Sequence, residues 1–253
     1  MADQTTKPLA VVTGASTGIG YELAEECARN GFDLIVAADE PRIEEAAERL
    51  RQIGAAVDAV EADLATTEGV DRLYAAIAGR PVDALLANAG RGLGKGFLDQ
   101  DFGDIRHVID TNVTALVTLT HRLLPQLVER RGAIINISSV AGVYPYPGGN
   151  TYGGTKAFVS QFSLGLRSDL HGTGVRVTTI EPGMAETEFT VVRTHGDQNA
   201  SDKLYSGANP MTAEDIAEQI FWVASLPPHL NINRLELMPV SQSFAGFQVA
   251  REG

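Results

Sequence analysis

A single cysteine, Cys27, leaves no partner for an internal disulfide, which fits a reducing compartment. It falls on an apolar helical stretch, where a plain core role is expected. The five histidines (His107, His121, His171, His195 and His229) show no metal-ligand spacing beside a carboxylate or thiolate cluster, so no metal site is read. Basic charge is also short: a net charge of -12 and a pI near 4.8 argue against nucleic acid or an anionic membrane surface as partner. No apolar run reaches the ~20 residues of a membrane span. The opening Met1-Ala-Asp-Gln-Thr-Thr-Lys7 is polar and carries no signal-peptide pattern. Internal repeats, low-complexity tracts and Pro/Ser-rich linkers are missing too. These exclusions lead to the expectation of a soluble, cytoplasmic chain.

What is present is a regular alternation of elements over 253 residues. Leu9-Ala-Val-Val-Thr13, Leu34-Ile-Val-Ala-Ala38, Ala56 to Glu61, Val82 to Ala87, Ala133 to Ser138 and Val175 to Ile180 read as strands, several of them unbroken apolar runs of the kind buried on both faces. Helical patterns fill the intervals, and a last strand is expected near Asn233 to Leu237. A long helix is expected from about Phe102 to Arg130, with a kink at Pro125. Such a series predicts one domain over residues 1–253: an α/β fold with a doubly wound parallel sheet of Rossmann type and helices on both faces. Residues 184–210 are polar and poorly patterned, which predicts a flexible substrate lid.

The first strand runs directly into Gly14-Ala-Ser16-Thr17-Gly18-Ile19-Gly20, and a helix opens there. Glycines in that context allow a tight turn and bring a pyrophosphate close to free N–H groups at a helix start. Further along, Tyr152 and Lys156 are four residues apart, which on a helix sets their Cβ atoms roughly 5–6 Å from each other. A nearby ammonium favours a phenolate, so the Tyr152 pKa is expected to fall from ~10 toward neutral. A tyrosine so tuned serves as general acid or base for an alcohol/carbonyl pair. Ser139 ends a strand-like run and could hydrogen-bond the reacting oxygen. Taken alone, the Tyr-Lys pair also fits a surface helix with a half-buried aromatic.

Together these stretches resemble the short-chain dehydrogenase/reductase family over nearly the whole chain. The family's glycine motif matches Thr13 to Gly20, and its Asn-Ala-Gly turn matches Asn88-Ala89-Gly90. Its four catalytic positions match Asn112, Ser139, Tyr152 and Lys156, and its Pro-Gly turn with a following threonine matches Pro182-Gly183 and Thr187. From about Gly132 onward the chain further resembles bacterial dehydrogenases of 3-hydroxy acids and serine-like substrates, through Tyr152 to Ser163, Ile180-Glu-Pro-Gly183 and Asn231-Ile-Asn233.

The resemblance implies an NAD(P)-dependent oxidoreductase that moves a hydride between nicotinamide and a small hydroxy or carbonyl compound. It further implies that Lys156 binds ribose hydroxyls, that Asn112 anchors a water leading to Lys156, that Asp63-Leu64 borders adenine, and that Thr187 meets the carboxamide. Asn112 also reads as a polar cap of a helix kink. Ala87 replaces an asparagine common in the family. Ala38-Asp39-Glu40 stands where the hydroxy-acid branch usually places arginines, and a carboxylate there repels a 2′-phosphate, so NAD is expected ahead of NADP. Asp39 also reads as a solvated loop acid, and Arg42 could still reach a phosphate. Arg193, in the lid, offers a donor fork for a substrate carboxylate or sulfonate; it also reads as a surface arginine paired with Asp197. The family is often tetrameric, so a homo-oligomer, tetramer or dimer, is expected, with the apolar stretch from Leu235 to Val249 packing across subunits. A catalytically silent nucleotide sensor or scaffold of the same fold, and an epimerase or dehydratase using the nucleotide transiently, are the competing readings.

Overall fold

A computed structural model describes residues 7–193 and 196–244 of the chain. The apolar runs form β1 (Leu9–Thr13), β2 (Asp33–Ala38), β3 (Val57–Glu61), β4 (Ala84–Ala87), β5 (Ala133–Ile137), β6 (Arg176–Pro182) and β7 (Arg234–Leu237). All pair in parallel, in the order β3-β2-β1-β4-β5-β6-β7. Val11 lies in register with Ile35 on one side and Leu85 on the other.

Successive side chains of a strand face opposite sides of the sheet, so each strand feeds two cores. Ala10 and Val12 join Leu34 and Val36 in one core, with Leu23, Leu50 and Ile220 from α1 (Gly18–Arg29), α2 (Arg42–Gln52) and α9 (Ala213–Ala224). Leu9 and Val11 join Ile35 and Leu85 in the other, with Leu73 and Leu123 from α3 (Thr67–Ile77) and α5 (Leu116–Arg130). Burial on both faces is why these strands read as continuous apolar runs rather than alternating ones. Helix starts are fixed locally. Thr66 accepts the Gly69 N–H at the head of α3, and Thr212 and Asp215 form a reciprocal capping box on α9.

From β1 the chain winds outward to β3, then crosses back to β4 on the other side of β1. Loops after β1 and β4 therefore diverge, and a crevice opens beyond the carboxyl ends of these strands, where open α/β sheets bind ligands. Gly14 N–H donates to the Ala37 carbonyl at 2.7 Å, tying the glycine loop to the end of β2.

Two stretches gain detail beyond the sequence. The stretch from Phe102 to Arg130 is helical throughout, as expected, but with a π-helical segment, Asp110–Ala115, between α4 (Phe102–Ile109) and α5. Pro125 lies inside α5, whereas the widened turn is at Asn112, as such π segments often mark functional positions. The stretch 184–210, expected as a lid, carries α7 (Phe189–Arg193) and α8 (Gln198–Tyr205). No helix among the described residues is long and apolar enough to cross a membrane, and no group of three potential metal ligands occurs among them.

Candidate active site

At the end of β5 the chain turns through Ser139 into a 3-10 turn, Val140–Gly142, whose Ala141 N–H donates to Ser139 Oγ at 3.1 Å. This turn packs directly on α6 (Asn150–Asp169). A Cβ on Gly153 would lie only 2.7 Å from the Ala141 carbonyl oxygen, so only glycine allows the approach. That contact brings Ser139 against Tyr152, which is only 7% exposed.

Lys156, one turn further along α6, is 4% exposed, and its Nζ donates to the Ile137 carbonyl at 2.8 Å. Burial without a carboxylate beside it lowers the Lys156 pKa to about 8. Tyr152 runs opposite to the expectation. Burial raises its pKa above the ordinary phenol value, and the hydrogen bond from Ser139 and the charge of Arg193 only partly offset this. Lys156 Nζ is turned to the Ile137 carbonyl and lies over the Tyr152 ring, 5.7 Å from its centroid. An un-ionised phenol in this setting is a proton donor.

Asn112 ties the π-helical segment to its surroundings. Its Oδ1 accepts the Arg91 N–H at 2.8 Å, and its Nδ2 donates to the Arg91 carbonyl and to Thr155 Oγ1 at 3.0 and 2.9 Å. Gly90 lies between Asn112 and Lys156. A Cβ there would be 3.2 Å from Lys156 Nζ and 3.3 Å from Asn112 Oδ1.

One cavity of about 680 Å³ joins most of the residues singled out in the sequence. Gly14, Ser16, Thr17, Gly18, Ile19, Asp39, Asn88, Ala89, Gly90, Ser139, Tyr152, Lys156, Pro182, Gly183, Thr187 and Arg193 all line it, and a Cβ on Gly18 would lie 3.6 Å from Thr187 Cβ. Gly20 lies behind the lining, where a Cβ would be 2.0 Å from the Gly14 carbonyl oxygen. Asn112 stands behind Gly90 rather than in the wall. Asp63 and Leu64 are not brought to the cavity: Asp63 Oδ1 accepts the Ala65 N–H at 2.9 Å, and Leu64 is buried in the core.

At the nucleotide end, Thr17 precedes α1 without a side-chain cap, and no acidic residue occupies the first turn. Unused N–H groups at a helix start suit a phosphate. Asp39 accepts from Arg91 at 3.0 Å, Glu40 accepts the Ser16 hydroxyl at 2.6 Å, and Arg42 pairs with Glu188.

This arrangement of glycine loop, serine, tyrosine and lysine is matched by a family profile described as short chain dehydrogenase, over residues 8–198. The chain belongs to the short-chain dehydrogenase family. Serine 3-dehydrogenase of Rhizobium radiobacter is 53% identical over 249 residues, 96% of this chain and 98% of that protein. Sulfoacetaldehyde reductase 2 of Chromohalobacter salexigens is 47% identical over 96% of this chain and 99% of that one. A solved closed form of serine dehydrogenase complexed with NADP+ superimposes with a TM-score of 0.91 at 42% identity, covering 96% of this chain and 100% of that chain. This short-chain dehydrogenase is an oxidoreductase that transfers a hydride between a nicotinamide cofactor and a small hydroxy or carbonyl substrate.

The cavity also holds residues that the sequence did not single out. Phe189 of α7 packs on the Tyr152 ring with centroids 5.4 Å apart, and Tyr144 meets Phe244 at 4.6 Å. Behind α6, Ser138 donates to the Lys156 carbonyl at 2.7 Å and meets Ser160, which donates to the fully buried Glu181; Arg234 completes that chain at 2.5 Å. Ser138 lies next to Ser139 in the sequence, but nothing there signals that Glu181 and Arg234 stand behind it.

Proposed function

We propose that this dehydrogenase interconverts a short hydroxy acid or hydroxysulfonate and its carbonyl counterpart. The observation that carries the reading is the Tyr152–Ser139 pair in a cavity that also holds the Arg193 guanidinium, 5.5 Å over the Tyr146 ring. Arg193 offers a planar donor fork to an anion, and the relatives' names, serine 3-dehydrogenase and sulfoacetaldehyde reductase, describe small charged substrates. The competing partner, Asp197, lines the neighbouring cavity that Arg193 also reaches.

The glycine loop fits a dinucleotide. The α1 start is uncapped, and the Gly14–Gly20 contact leaves no room for side chains. A nicotinamide held there would supply or accept the hydride. For reduction, Tyr152, kept un-ionised by burial, gives its proton to the substrate oxygen while Ser139 donates a hydrogen bond to the same atom. Lys156 is assigned to the ribose hydroxyls, Asn112 to a water linking Lys156 to solvent, Thr187 to the carboxamide, and α7 with α8 to a lid over the substrate. Depletion of reduced cofactor over a panel of short aldehydes and ketones, with and without carboxylate or sulfonate, tests the reading. Preference for the uncharged members would overturn it.

For the cofactor itself, two sets of observations oppose each other. A relative 45% identical over 96% of this chain is named an NADP-dependent 3-hydroxy acid dehydrogenase, and the similar solved structure contains NADP+. In this chain, however, Asp39 and Glu40 line the nucleotide end, and the nearby Arg91 and Arg42 are already paired with Asp39 and Glu188. A 2′-phosphate must face these carboxylates and recruit the two arginines from them, whereas a ribose hydroxyl can donate to a carboxylate. We therefore keep NAD ahead of NADP.

A homo-oligomer, dimer or tetramer, and a cytoplasmic location complete the reading. Phe97, Leu98 and Phe102 are exposed on one side of the chain, at 63%, 99% and 71%, and such apolar surface is commonly covered by a partner. Part of the stretch expected to pack across subunits, 245–249, lies outside the described residues. Light scattering on the purified chain decides the assembly, and a clean monomer would refute it.

A further inference from the structure

Beyond β7 the chain turns back over the substrate end of the cavity. Gln242 N–H donates to the Pro239 carbonyl at 2.9 Å, and the Gln242 Oε1 accepts the Met184 N–H at 2.6 Å. The side chain lies on Gly183 so closely that a Cβ there would be 2.3 Å from Oε1. The same loop is held by Gly183 N–H to the Leu237 carbonyl at 2.7 Å, and the Pro182 carbonyl accepts the Ser139 hydroxyl at 3.4 Å. Gln242 is thus fastened to the loop that the active-site serine touches.

The orientation of its amide follows from chemistry. A backbone N–H needs an acceptor, so the oxygen faces Met184 and the NH2 group faces away. Among the described residues nothing accepts from Nε2, and Nε2 is not sealed in the interior. Gln242 lines the same cavity as Ser139, Tyr152 and Arg193. It therefore presents donors without a protein partner among the described residues, in the same cavity as the reacting groups and in a stretch that the sequence marked for subunit packing rather than for substrate.

We propose that Gln242 is a specificity-determining residue whose Nε2 donates to an oxygen of the substrate's carboxylate or sulfonate, as a neutral second donor beside Arg193. The proposal rests on the anionic-substrate reading above. A purely structural role, holding the Met184 peptide in place, is the competing account.

Two variants separate these accounts. Gln242→Glu keeps an oxygen for the Met184 N–H but replaces the donor with a negatively charged acceptor. Gln242→Leu removes both. Steady-state kinetics with 3-hydroxybutyrate and with its methyl ester, plus a fluorescence titration of the reduced cofactor, supply the readouts. The expected result for Gln242→Glu is a KM for the acid raised about tenfold or more, since like charges are brought together, with the KM for the ester and the cofactor affinity unchanged. Gln242→Leu raises the KM for the acid less than Gln242→Glu does. A Gln242→Glu enzyme with wild-type KM for the acid, or with equal losses on acid and ester, overturns the proposal. Failure of the underlying reading shows separately, in the wild type, as a preference for the ester; the assignment of Gln242 then falls with it.

Discussion

Lys156 Nζ donates to the carbonyl oxygen of Ile137 at 2.8 Å, while its charge is buried at 4% exposure without a carboxylate partner. Holding an ammonium there disfavours the folded state. With the folded pKa near 8 against an ordinary 10.5, the unfolded chain binds more protons between these values, so stability rises with pH across that window. The cost below pH 8 is on the order of 3 kcal/mol and is relieved as Lys156 deprotonates. Tyr152 acts the other way, because its raised pKa makes stability fall once the pH passes the unfolded value of 10.0. The test window is therefore pH 8 to 10. Melting curves should show the wild type gaining on Lys156→Met across it. Parallel pH profiles for the two proteins would contradict the burial of that charge.

Gly20 and Gly154 predict opposite outcomes for the same substitution. A Cβ on Gly20 meets the Gly14 carbonyl oxygen at 2.0 Å, whereas nothing lies within 4 Å of one on Gly154. Gly20→Ala should abolish cofactor binding and lower the melting temperature. Gly154→Ala, inside α6, should raise stability by roughly 0.5–1 kcal/mol, through helix propensity alone. Calorimetry and cofactor titration on both variants provide the check, and a tolerated Gly20→Ala would be inconsistent with the close approach.

In the proposed reading, Asp39 carries a preference for NAD over NADP. Replacing it with alanine removes a carboxylate from the nucleotide end and frees Arg91 from its 3.0 Å pair. The ratio of kcat/KM for NAD over NADP should fall by about tenfold, a change of ~1.4 kcal/mol. A wild type that already favours NADP by that margin, or an unchanged ratio in Asp39→Ala, sinks the assignment.

For Arg193→Ala, KM should rise far more for a 3-hydroxy acid than for the corresponding uncharged alcohol. Removing the bidentate guanidinium from an anion typically costs about 1.5–3 kcal/mol. Kinetics on the two substrates decide it, and equal losses on both exclude Arg193 as the anion handle.

Much of this architecture is legible in the sequence for a physical reason. Strands buried on both faces are written as apolar runs, and the glycine loop and the Tyr152–Lys156 spacing are local patterns. What stayed hidden depends on tertiary surroundings. The π-helical segment around Asn112 keeps the apolar spacing of Ile105, Val108, Ala115 and Leu119, all buried, so a continuous helix was the natural reading. The raised pKa of Tyr152 is hidden because the i, i+4 spacing shows the lysine but not the burial of the phenol. Asp63 and Leu64 follow β3, where Asp63 Oδ1 accepts the Ala65 N–H and Leu64 is buried. Gln242 lies 58 residues from Met184, and no motif links them.

In the proposed mechanism, Tyr152 moves the proton that accompanies net hydride transfer. Its most direct test is the absorbance of reduced cofactor, followed with a hydroxy acid or its carbonyl counterpart, for the wild type and Tyr152→Phe, alongside cofactor titration of both. The wild type should accumulate or consume reduced cofactor in step with substrate, and Tyr152→Phe should lose ~10²–10⁴-fold in turnover while still binding cofactor. Tight cofactor binding without net change in its redox state in the wild type, or near-normal turnover in Tyr152→Phe, would contradict the account.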